Sequence, residues 1–403
     1  MTGLNPFSPL RHLLFRVLWG ATLVANAGTL IQGVGAACSM ARMTPSHEMV
    51  ALIQVSMSLP IMLFAVLAGA ISDVFNRRKV MLLAYTFIFV VSVCLVVMSS
   101  VGLLSPWSLL AFTLAMGVGA AMYSPAWLSS VHKLVPREDL TSAVGLNSMS
   151  YNLIRTVAPA LGGLLIVIGG PAVTFAFNAA CYLPLIWALI KWHPAASSQS
   201  SPDKNIASAI AAGIRYVALS PAIRNILFRC IVFGFGAAGV MALLPVVTRD
   251  VLHADATLYG VFLGAFGVGG ILGGIVGPAL RRLFVAETIA GGAFLIFGCG
   301  DAVIAILRSS AWVVLGLGLC GMAWVVVLSL FNVTVQLLSP RGIVGRVLSL
   351  YQTAVFGATA LGNWFWGMIS ERTDPFLALW LGCGVLIAGA VFGRFVPMPK
   401  PTE

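Results

Sequence analysis

Long apolar runs, each followed by a short polar or basic segment, make up most of the chain. The runs are about 18 to 25 residues long, enough for a helix to cross about 30 Å of hydrocarbon. A chain in lipid must satisfy its own backbone hydrogen bonds, so the runs are predicted to be α-helices and not strands. The pattern predicts twelve spans, at residues 13–37, 51–72, 79–100, 107–130, 142–168, 172–191, 223–248, 258–280, 287–307, 311–334, 347–369 and 376–396.

The longest polar stretch, residues 192–222, separates six predicted spans from six. It begins with a segment rich in Ser and Pro that is typical of a linker, and continues with isoleucines at helical spacing. We expect a short amphipathic helix that lies on the membrane surface and serves mainly as a connector. The predicted organisation is an N-terminal six-helix half at 1–191, a cytoplasmic linker at 192–222, and a C-terminal six-helix half at 223–403.

The two predicted halves share residues at a constant offset along the chain. The matched pairs are Gly69 with Gly273, Pro136 with Pro340, Gly117 with Gly321, and Gly163 with Gly367. Parallel repeats predict an axis along the membrane normal and a cavity between the halves near the midplane. The expected fold class is therefore an all-α membrane protein with twelve transmembrane helices in two six-helix halves.

Composition and charge support the same interpretation. The chain is 60% hydrophobic and 9% charged, with a mean hydropathy of +1.01, which excludes a soluble domain. The net charge of +11 could indicate nucleic-acid binding, but its distribution excludes that class. If the N-terminus is cytoplasmic, only Arg42, Arg249, Arg308 and Arg372 of the 23 basic residues lie outside. This follows the positive-inside rule and places both termini in the cytoplasm.

Several chemical classes find no support in the sequence. The seven cysteines are scattered without metal-ligand or disulfide spacing, so we expect no metal and no cofactor. A phosphate-binding loop is absent, which argues against an ATP-driven pump. A nucleophile–base pair is absent as well, which argues against an enzyme. The first apolar run is expected to be an uncleaved helix, because many spans follow it.

Three phrases carry a resemblance to a known family. They are Gly69-Ala-Ile-Ser-Asp73 with the basic residues 77–79, Asn152-Leu-Ile-Arg155 with Ala158-Pro159-Ala-Leu-Gly162-Gly163, and Gly345-Arg346-Val-Leu-Ser-Leu-Tyr351. Over essentially its full length the chain resembles major facilitator superfamily transporters, and within them the bacterial branch of enterobactin-exporter and macrolide-efflux-like proteins. The resemblance implies a monomeric secondary transporter of the bacterial inner membrane. It would export an amphipathic drug-like or siderophore-like molecule by alternating access and proton antiport.

The turn after the second span is similar to the superfamily's gating signature, which here comprises Gly69, Asp73, Arg77 and Arg78. The resemblance implies that Asp73 bridges to a basic group of the other half when the cytoplasmic side is closed. The alternative is that the basic residues only fix the topology. In the second half Gly277 stands at the Asp position, so no equivalent gate is expected there.

The fifth predicted span carries the polar residues that are the first candidates for substrate binding. Asn152, Arg155, Pro159 and Gly162 recur at helical spacing and share one face. An Arg within a span costs roughly 2.5–3.5 kcal/mol, so Arg155 should face the bundle interior. There it would attract an anionic substrate group or balance a carboxylate. Pro159, Gly162 and Gly163 resemble the exporter signature, and we expect them to serve helix packing and a kink.

Other spans carry isolated polar or aromatic residues that could contact a substrate. They are Asn26, Tyr123, Asn332, Gln352, Phe356 and Asn363, with Trp366 as a further stacking surface. Each polar member could equally make an interhelical hydrogen bond. Asp301 is the only carboxylate well within a span and is the candidate for proton coupling, with Arg308 as its possible partner.

Two other functions remain open on the same fold. The protein could translocate a lipid or lysophospholipid, or it could be an importer. A receptor that transports nothing is a further alternative. Uptake by inverted vesicles under an imposed pH gradient would separate these functions.

Overall fold

The computed structural model of the protein describes residues 8–192, 206–307, 309–339, 344–395 and 398. Over these residues the chain is helical, as predicted. The long helices are α1 Leu13–Met43, α2 His47–Val74, α3 Arg77–Ser100, α4 Pro106–Leu134, α5 Leu140–Lys191, α6 Ile206–Leu219, α7 Pro221–Val246, α8 Ala256–Leu283, α9 Ala286–Leu307, α10 Ser310–Leu338, α11 Val344–Arg372 and α12 Pro375–Phe395. Short helical turns occur at Ser8–Arg11, Arg137–Asp139 and Val247–Val251.

Ten helices of the described chain are long and apolar enough to cross a membrane, whereas the sequence predicted twelve spans. Two features account for the difference. The predicted spans at 142–168 and 172–191 are the two helical arms of α5, which follow each other across the kink at Gly170 and so count once. Helix α11 carries polar residues such as Gln352 and Asn363, which lower its hydropathy.

Gly170 divides α5 into two arms. Its φ of 71° and ψ of −172° are open to glycine at little cost, and Pro171 follows it. Gly162 packs against Val34 of α1, while Thr174 packs against the next residue, Gly35. A straight helix would separate residues 162 and 174 by about 18 Å, so the chain reverses direction at Gly170.

The bundle has two ends. We call the end where α1 begins and α12 ends the terminal end, and the end where α1 leads into α2 the far end. At the terminal end, the Ser8 hydroxyl donates to Asp139 at 2.5 Å, and His12 Nε2 lies 2.9 Å from the same carboxylate. The Ser8 hydroxyl, and then His12, hold the pKa of Asp139 below its ordinary value. These contacts attach the N-terminal turn to the segment before α5.

A buried ion pair joins three helices of the C-terminal half. The Arg229 guanidinium donates to both carboxylate oxygens of Glu287, at 3.1 and 2.9 Å, and to the Gly393 carbonyl oxygen at 2.8 Å. Glu287 also accepts the backbone N–H of Met398 at 2.8 Å. The pair therefore ties α7 and α9 to the end of α12.

Helix α6 packs against the C-terminal half. Gly213 lies against Arg346 of α11, and the Tyr216 hydroxyl donates to the Leu338 carbonyl oxygen at 2.8 Å. Residues 206–219 of the predicted linker thus form a helix. Its position on a membrane surface remains a prediction.

Candidate functional site

Small residues bring α5 of the first half against α8 of the second. A methyl group on Gly163 would overlap the carbonyl oxygen of Ala256 and lie 3.2 Å from the Gly260 Cα. One on Gly260 would lie 2.8 Å from the Pro159 carbonyl oxygen. Pro159 and Gly163 therefore form a contact between the halves, whereas Gly162 faces Ile31 and Val34 of its own half.

A second contact joins α2 to α11. Gly367 lies so close to α2 that an added Cβ would overlap the Ala51 side chain. Nearer the middle of the bundle, Gly357 meets the Met62 side chain, with a Cβ-to-Sδ distance of 2.7 Å if a methyl group were added. The halves are therefore in close contact from the far end to the middle of these helices.

Arg249 connects the halves by hydrogen bonds at the far end. Its guanidinium reaches from the turn after α7 to the carbonyl oxygens of Ala41, Thr44 and Pro45, at 2.8 Å for Thr44 and 3.2 Å for Pro45. The free carbonyls at a helix C-terminus favour a cation, so Arg249 caps α1 from the opposite half. The same guanidinium binds Asp250 through two nitrogens.

The N-terminus of α2 is also capped from the opposite half, but by a carboxylate and not by a cation. The Glu371 carboxylate accepts the backbone N–H groups of His47 and Glu48, the latter at 3.2 Å. A carboxylate at a helix N-terminus is favoured by the free N–H groups there. The Trp364 indole donates to Glu48 at 2.9 Å.

His47 lies between two groups of the C-terminal half. Its Nδ1 is 2.9 Å from the Ser370 hydroxyl and 3.1 Å from the Ser370 carbonyl oxygen. Its Nε2 is 3.3 Å from the Asp250 carboxylate. We call this set of residues the far-end latch: His47, Glu48, Arg249, Asp250, Trp364, Ser370 and Glu371. An open depression of about 450 Å³ borders His47, Arg249 and Asp250.

The structure brings together two of the predicted substrate residues. The Tyr123 hydroxyl of α4 donates to Asn26 Oδ1 of α1 at 3.0 Å. Tyr85 stacks on Tyr123 with ring centroids 4.5 Å apart, and the Tyr182 hydroxyl lies 2.9 Å from that of Thr29. Polar and aromatic groups of four helix segments thus meet within the N-terminal half.

The predicted residues of the C-terminal half do not form one cluster. Asn332 accepts from Gln336 on its own helix at 2.6 Å. Gln352 is exposed, Phe356 is half-buried, and Asn363 is buried, with no hydrogen-bond partner for its side-chain oxygen among the described residues. Trp366, which the sequence offered as a stacking surface, is buried instead. Its indole donates to the Phe235 carbonyl oxygen at 2.7 Å, so it is a packing residue in this conformation.

Four predicted site residues lie in helices, but their side chains fall outside the described part of the structure. Gly69 and Asp73 belong to α2, and Asn152 and Arg155 belong to α5. Their roles stay predictions.

The basic turn after α2 has a visible structural role. Arg78 donates to the carbonyl oxygens of Leu189 and Ile190, both at 2.7 Å, and so caps the end of α5 within its own half. Arg77 begins α3, whereas Arg281, its partner in the repeat, lies in the last turn of α8 and donates to Ser329 at 3.0 Å. The repeat in sequence therefore does not place these residues at the same point of a helix.

Asp301 is buried among helices of the C-terminal half. Its Oδ1 lies 3.8 Å from the Cys320 sulfur, and its Oδ2 has no hydrogen-bond partner among the described residues. Gly382 of α12 is its neighbour on another side. Arg308, named as a possible partner, lies outside the described residues.

The far-end latch was not predicted from the sequence. There, Arg249 was noted only as one of the few basic residues on the outer side. Basic residues are rare there, and the adjacent pair Arg249-Asp250 at the end of an apolar run was the available signal. What joins it to His47 and Glu371 is the packing of the two halves.

Comparison with known proteins places this architecture in a family. The family model described as transmembrane secretion effector (MFS_3) matches residues 4–403. The multidrug efflux pump Tap of Mycolicibacterium fortuitum is 23% identical over 404 residues, covering 95% of this chain and 95% of Tap. The enterobactin exporter EntS of Escherichia coli O1:K1 / APEC is 25% identical, covering 94% of this chain and 91% of EntS.

One further relative matches over a shorter region, and a solved structure shares the fold. The staphyloferrin A transporter of Staphylococcus aureus (strain NCTC 8325 / PS 47) is 24% identical over 230 residues, and the match spans 56% of its length. The crystal structure of a bacterial homologue of the human lysosomal transporter Spinster, inward-facing and unoccupied, superposes with a TM-score of 0.72 and 17% identity, covering 96% of this chain and 95% of that one. The chain therefore belongs to the transmembrane secretion effector family of major facilitator superfamily transporters, a multi-pass membrane transporter of small molecules and not an enzyme.

Proposed function

We propose that the protein exports an amphipathic small molecule of drug or siderophore type by alternating access, driven by proton antiport. It works as a monomer in a bacterial inner membrane with both termini in the cytoplasm. Support for export comes from Tap and EntS, whose names describe efflux and export and which match nearly the whole chain. Support for the orientation comes from the basic residues in the turns of the terminal end, such as Arg78 and Arg281.

The observation that carries the proposal is the contact of α5 with α8. The residues that resemble the exporter signature, Pro159 and Gly163, are those that meet Ala256 and Gly260 of the other half. A signature at the interface between the halves can act on transport by setting how closely they approach. In the proposed cycle, this contact and the far-end latch close the periplasmic side, and both separate when the transporter opens outward.

Substrate binding is assigned to polar and aromatic residues between the halves and within the N-terminal half. Arg155 and Asn152 are proposed to bind an anionic or polar group, and Asn26 with Tyr123 to bind the substrate beside them. Gln352, Phe356, Asn332 and Asn363 are proposed as contacts from the second half. Mostly apolar cavities with few polar groups accommodate amphipathic molecules of varied shape.

Asp301 is proposed as the proton-coupling residue. An ionised carboxylate would be costly at this buried position, where the described part of the chain offers no cation partner, so proton binding and release there require a change in its surroundings. Asp73, with Gly69, Arg77 and Arg78, is proposed to gate the cytoplasmic side.

A susceptibility panel tests the function. A deletion strain would be exposed to ethidium, a catecholate siderophore and lysophosphatidylcholine, with and without an uncoupler. We expect the wild-type gene to restore tolerance of at least one of the first two compounds only while the proton gradient is intact. Arg155→Ala should abolish this rescue, and Arg215→Ala on the exposed surface of α6 is the matched control. Rescue confined to the lysolipid would replace export of drugs or siderophores by lipid translocation. Unchanged rescue by Arg155→Ala would remove that residue from the binding site.

A further inference from the structure

The two ring nitrogens of His47 face different acceptors across the interface between the halves. Nδ1 lies 3.1 Å from the Ser370 carbonyl oxygen, and Nε2 lies 3.3 Å from the Asp250 carboxylate. A carbonyl oxygen and a carboxylate can only accept hydrogen bonds. A neutral imidazole can donate to only one of these two oxygens, although its unprotonated Nδ1 can accept from the Ser370 hydroxyl at 2.9 Å. An imidazolium donates to both oxygens, and its bond to Asp250 is then charge-assisted.

The charges around His47 come from three other segments and from its own helix. Arg42 of α1 and Arg249 of the turn after α7 lie beside it with positive charge. Asp250 pairs with both Arg249 and His47, and the Glu371 carboxylate of α11 binds the backbone at His47. On α2 itself, Glu48 is adjacent and accepts from Trp364. Of these groups, the Asp250 carboxylate is the one that pairs directly with the His47 ring.

Water can reach this site. The His47 side chain is 21% exposed, and the depression at the far end borders it together with Arg42 and Asp250.

We propose that His47 is a proton-operated latch, which closes the far end when it takes up a proton and lets it open when it releases one. The inference rests on the proposed alternating access but on neither the substrate nor the identity of the proton-coupling residue. When the far end opens, His47 separates from Ser370 and Asp250, and the acceptors that hold its second proton are lost. By linkage, the state that binds the proton more tightly is the state that acid stabilises. Under the proposed topology, periplasmic protons thus drive the return to the state closed on that side.

A distance measurement tests the latch directly. Spin labels at Leu103→Cys and Ser309→Cys, both exposed at the far end in opposite halves, would report its opening in nanodiscs. Ser would replace the exposed cysteines Cys94 and Cys299. We expect the ratio of closed to open molecules to rise at least about fivefold from pH 8 to pH 5. His47→Gln should remove most of this dependence, and Asp250→Asn should reduce it.

His12→Gln is the matched control, because His12 also pairs with an aspartate, Asp139, but within one half. It should leave the pH profile unchanged. The latch is overturned if His47→Gln retains the wild-type profile while remaining folded by size-exclusion chromatography, or if acid favours the open form. If two distance populations are found and His47→Gln does not change their ratio, the latch is rejected but alternating access is not. A single population at every pH would instead contradict both proposals.

Discussion

The Tyr123 hydroxyl joins α4 to α1 through Asn26 in the part of the N-terminal half that we assign to substrate binding. Tyr123→Phe keeps the ring that stacks on Tyr85 and removes this bond. One hydrogen bond contributes about 0.5–1.5 kcal/mol, so we expect the KM for an exported panel compound to rise roughly two- to tenfold. Transport assays in vesicles would measure it.

Tyr351→Phe is the control for this change. It removes a comparable tyrosine bond, to the Leu328 carbonyl oxygen at 3.0 Å, away from Asn26. If both variants shift KM equally, or neither does, the Tyr123 hydroxyl is not part of the binding site.

Sequence could predict single residues of this site but not their partners. Asn26 and Tyr123 were separate candidates because polar groups are uncommon in apolar runs. Their hydrogen bond depends on how α1 crosses α4, which the spacing of 97 residues between them does not encode. His47 and Glu371 drew no attention because they flank spans, where charged residues are ordinary.

Two adjacent glycines of α5 have different neighbours and allow a test at the level of the helix. Gly163→Ala places a methyl group against the Ala256 carbonyl of the other half. Overpacking of this kind costs about 1–3 kcal/mol, so the closed-to-open ratio of the far end should fall roughly tenfold. The spin-label distance described above measures it.

Gly162→Ala is the matched comparison. Its methyl group would lie 3.1 Å from the Val34 Cβ within the same half. It should lower the thermal stability without changing the ratio of closed to open molecules. An equal shift in both variants would mean that Gly163 does not act through the contact between the halves.

Arg229 holds three helices of the C-terminal half together at the terminal end, because it lies on α7 and binds both α9 and α12. Arg229→Gln leaves Glu287 without its charge partner in a largely buried setting. Removing one member of a buried pair destabilises by about 3 kcal/mol, so the Tm in detergent should fall by several degrees. Arg281→Gln removes only a bond to Ser329 and should change the Tm little. Equal Tm values for the two variants would contradict the assigned role of the Arg229 pair.

The positions of the helices were the most predictable feature of the structure, because the apolar runs and the polar segments between them set where each helix begins and ends. The predicted spans at 13–37 and 376–396 correspond to α1 Leu13–Met43 and α12 Pro375–Phe395. The predicted spans at 142–168 and 172–191 likewise correspond to the two arms of α5, which meet at Gly170, where the positive φ breaks the helix and reverses the chain.

At the scale of the whole molecule, two halves meet along α5–α8 and α2–α11, with a polar latch at one end. The duplicated halves were predictable from the repeat, whereas the latch was not, because all of its bonds except those of the adjacent pair Arg249–Asp250 join residues from different halves. Arg78 illustrates the same limit. The sequence predicted a gating role for it, whereas in the structure its side chain donates to the last carbonyl oxygens of α5 in its own half.

The central claim is that proton flow drives small molecules out of the cell through this fold. Inverted membrane vesicles from cells expressing the protein test it most directly, because their interior corresponds to the periplasm. With an acidic interior, the vesicles should accumulate the panel compound to which the gene confers tolerance. An uncoupler should abolish this accumulation, and Asp301→Asn should do the same if Asp301 carries the proton. Equal accumulation with and without the pH gradient, or none when the gradient is imposed, would contradict proton-driven export.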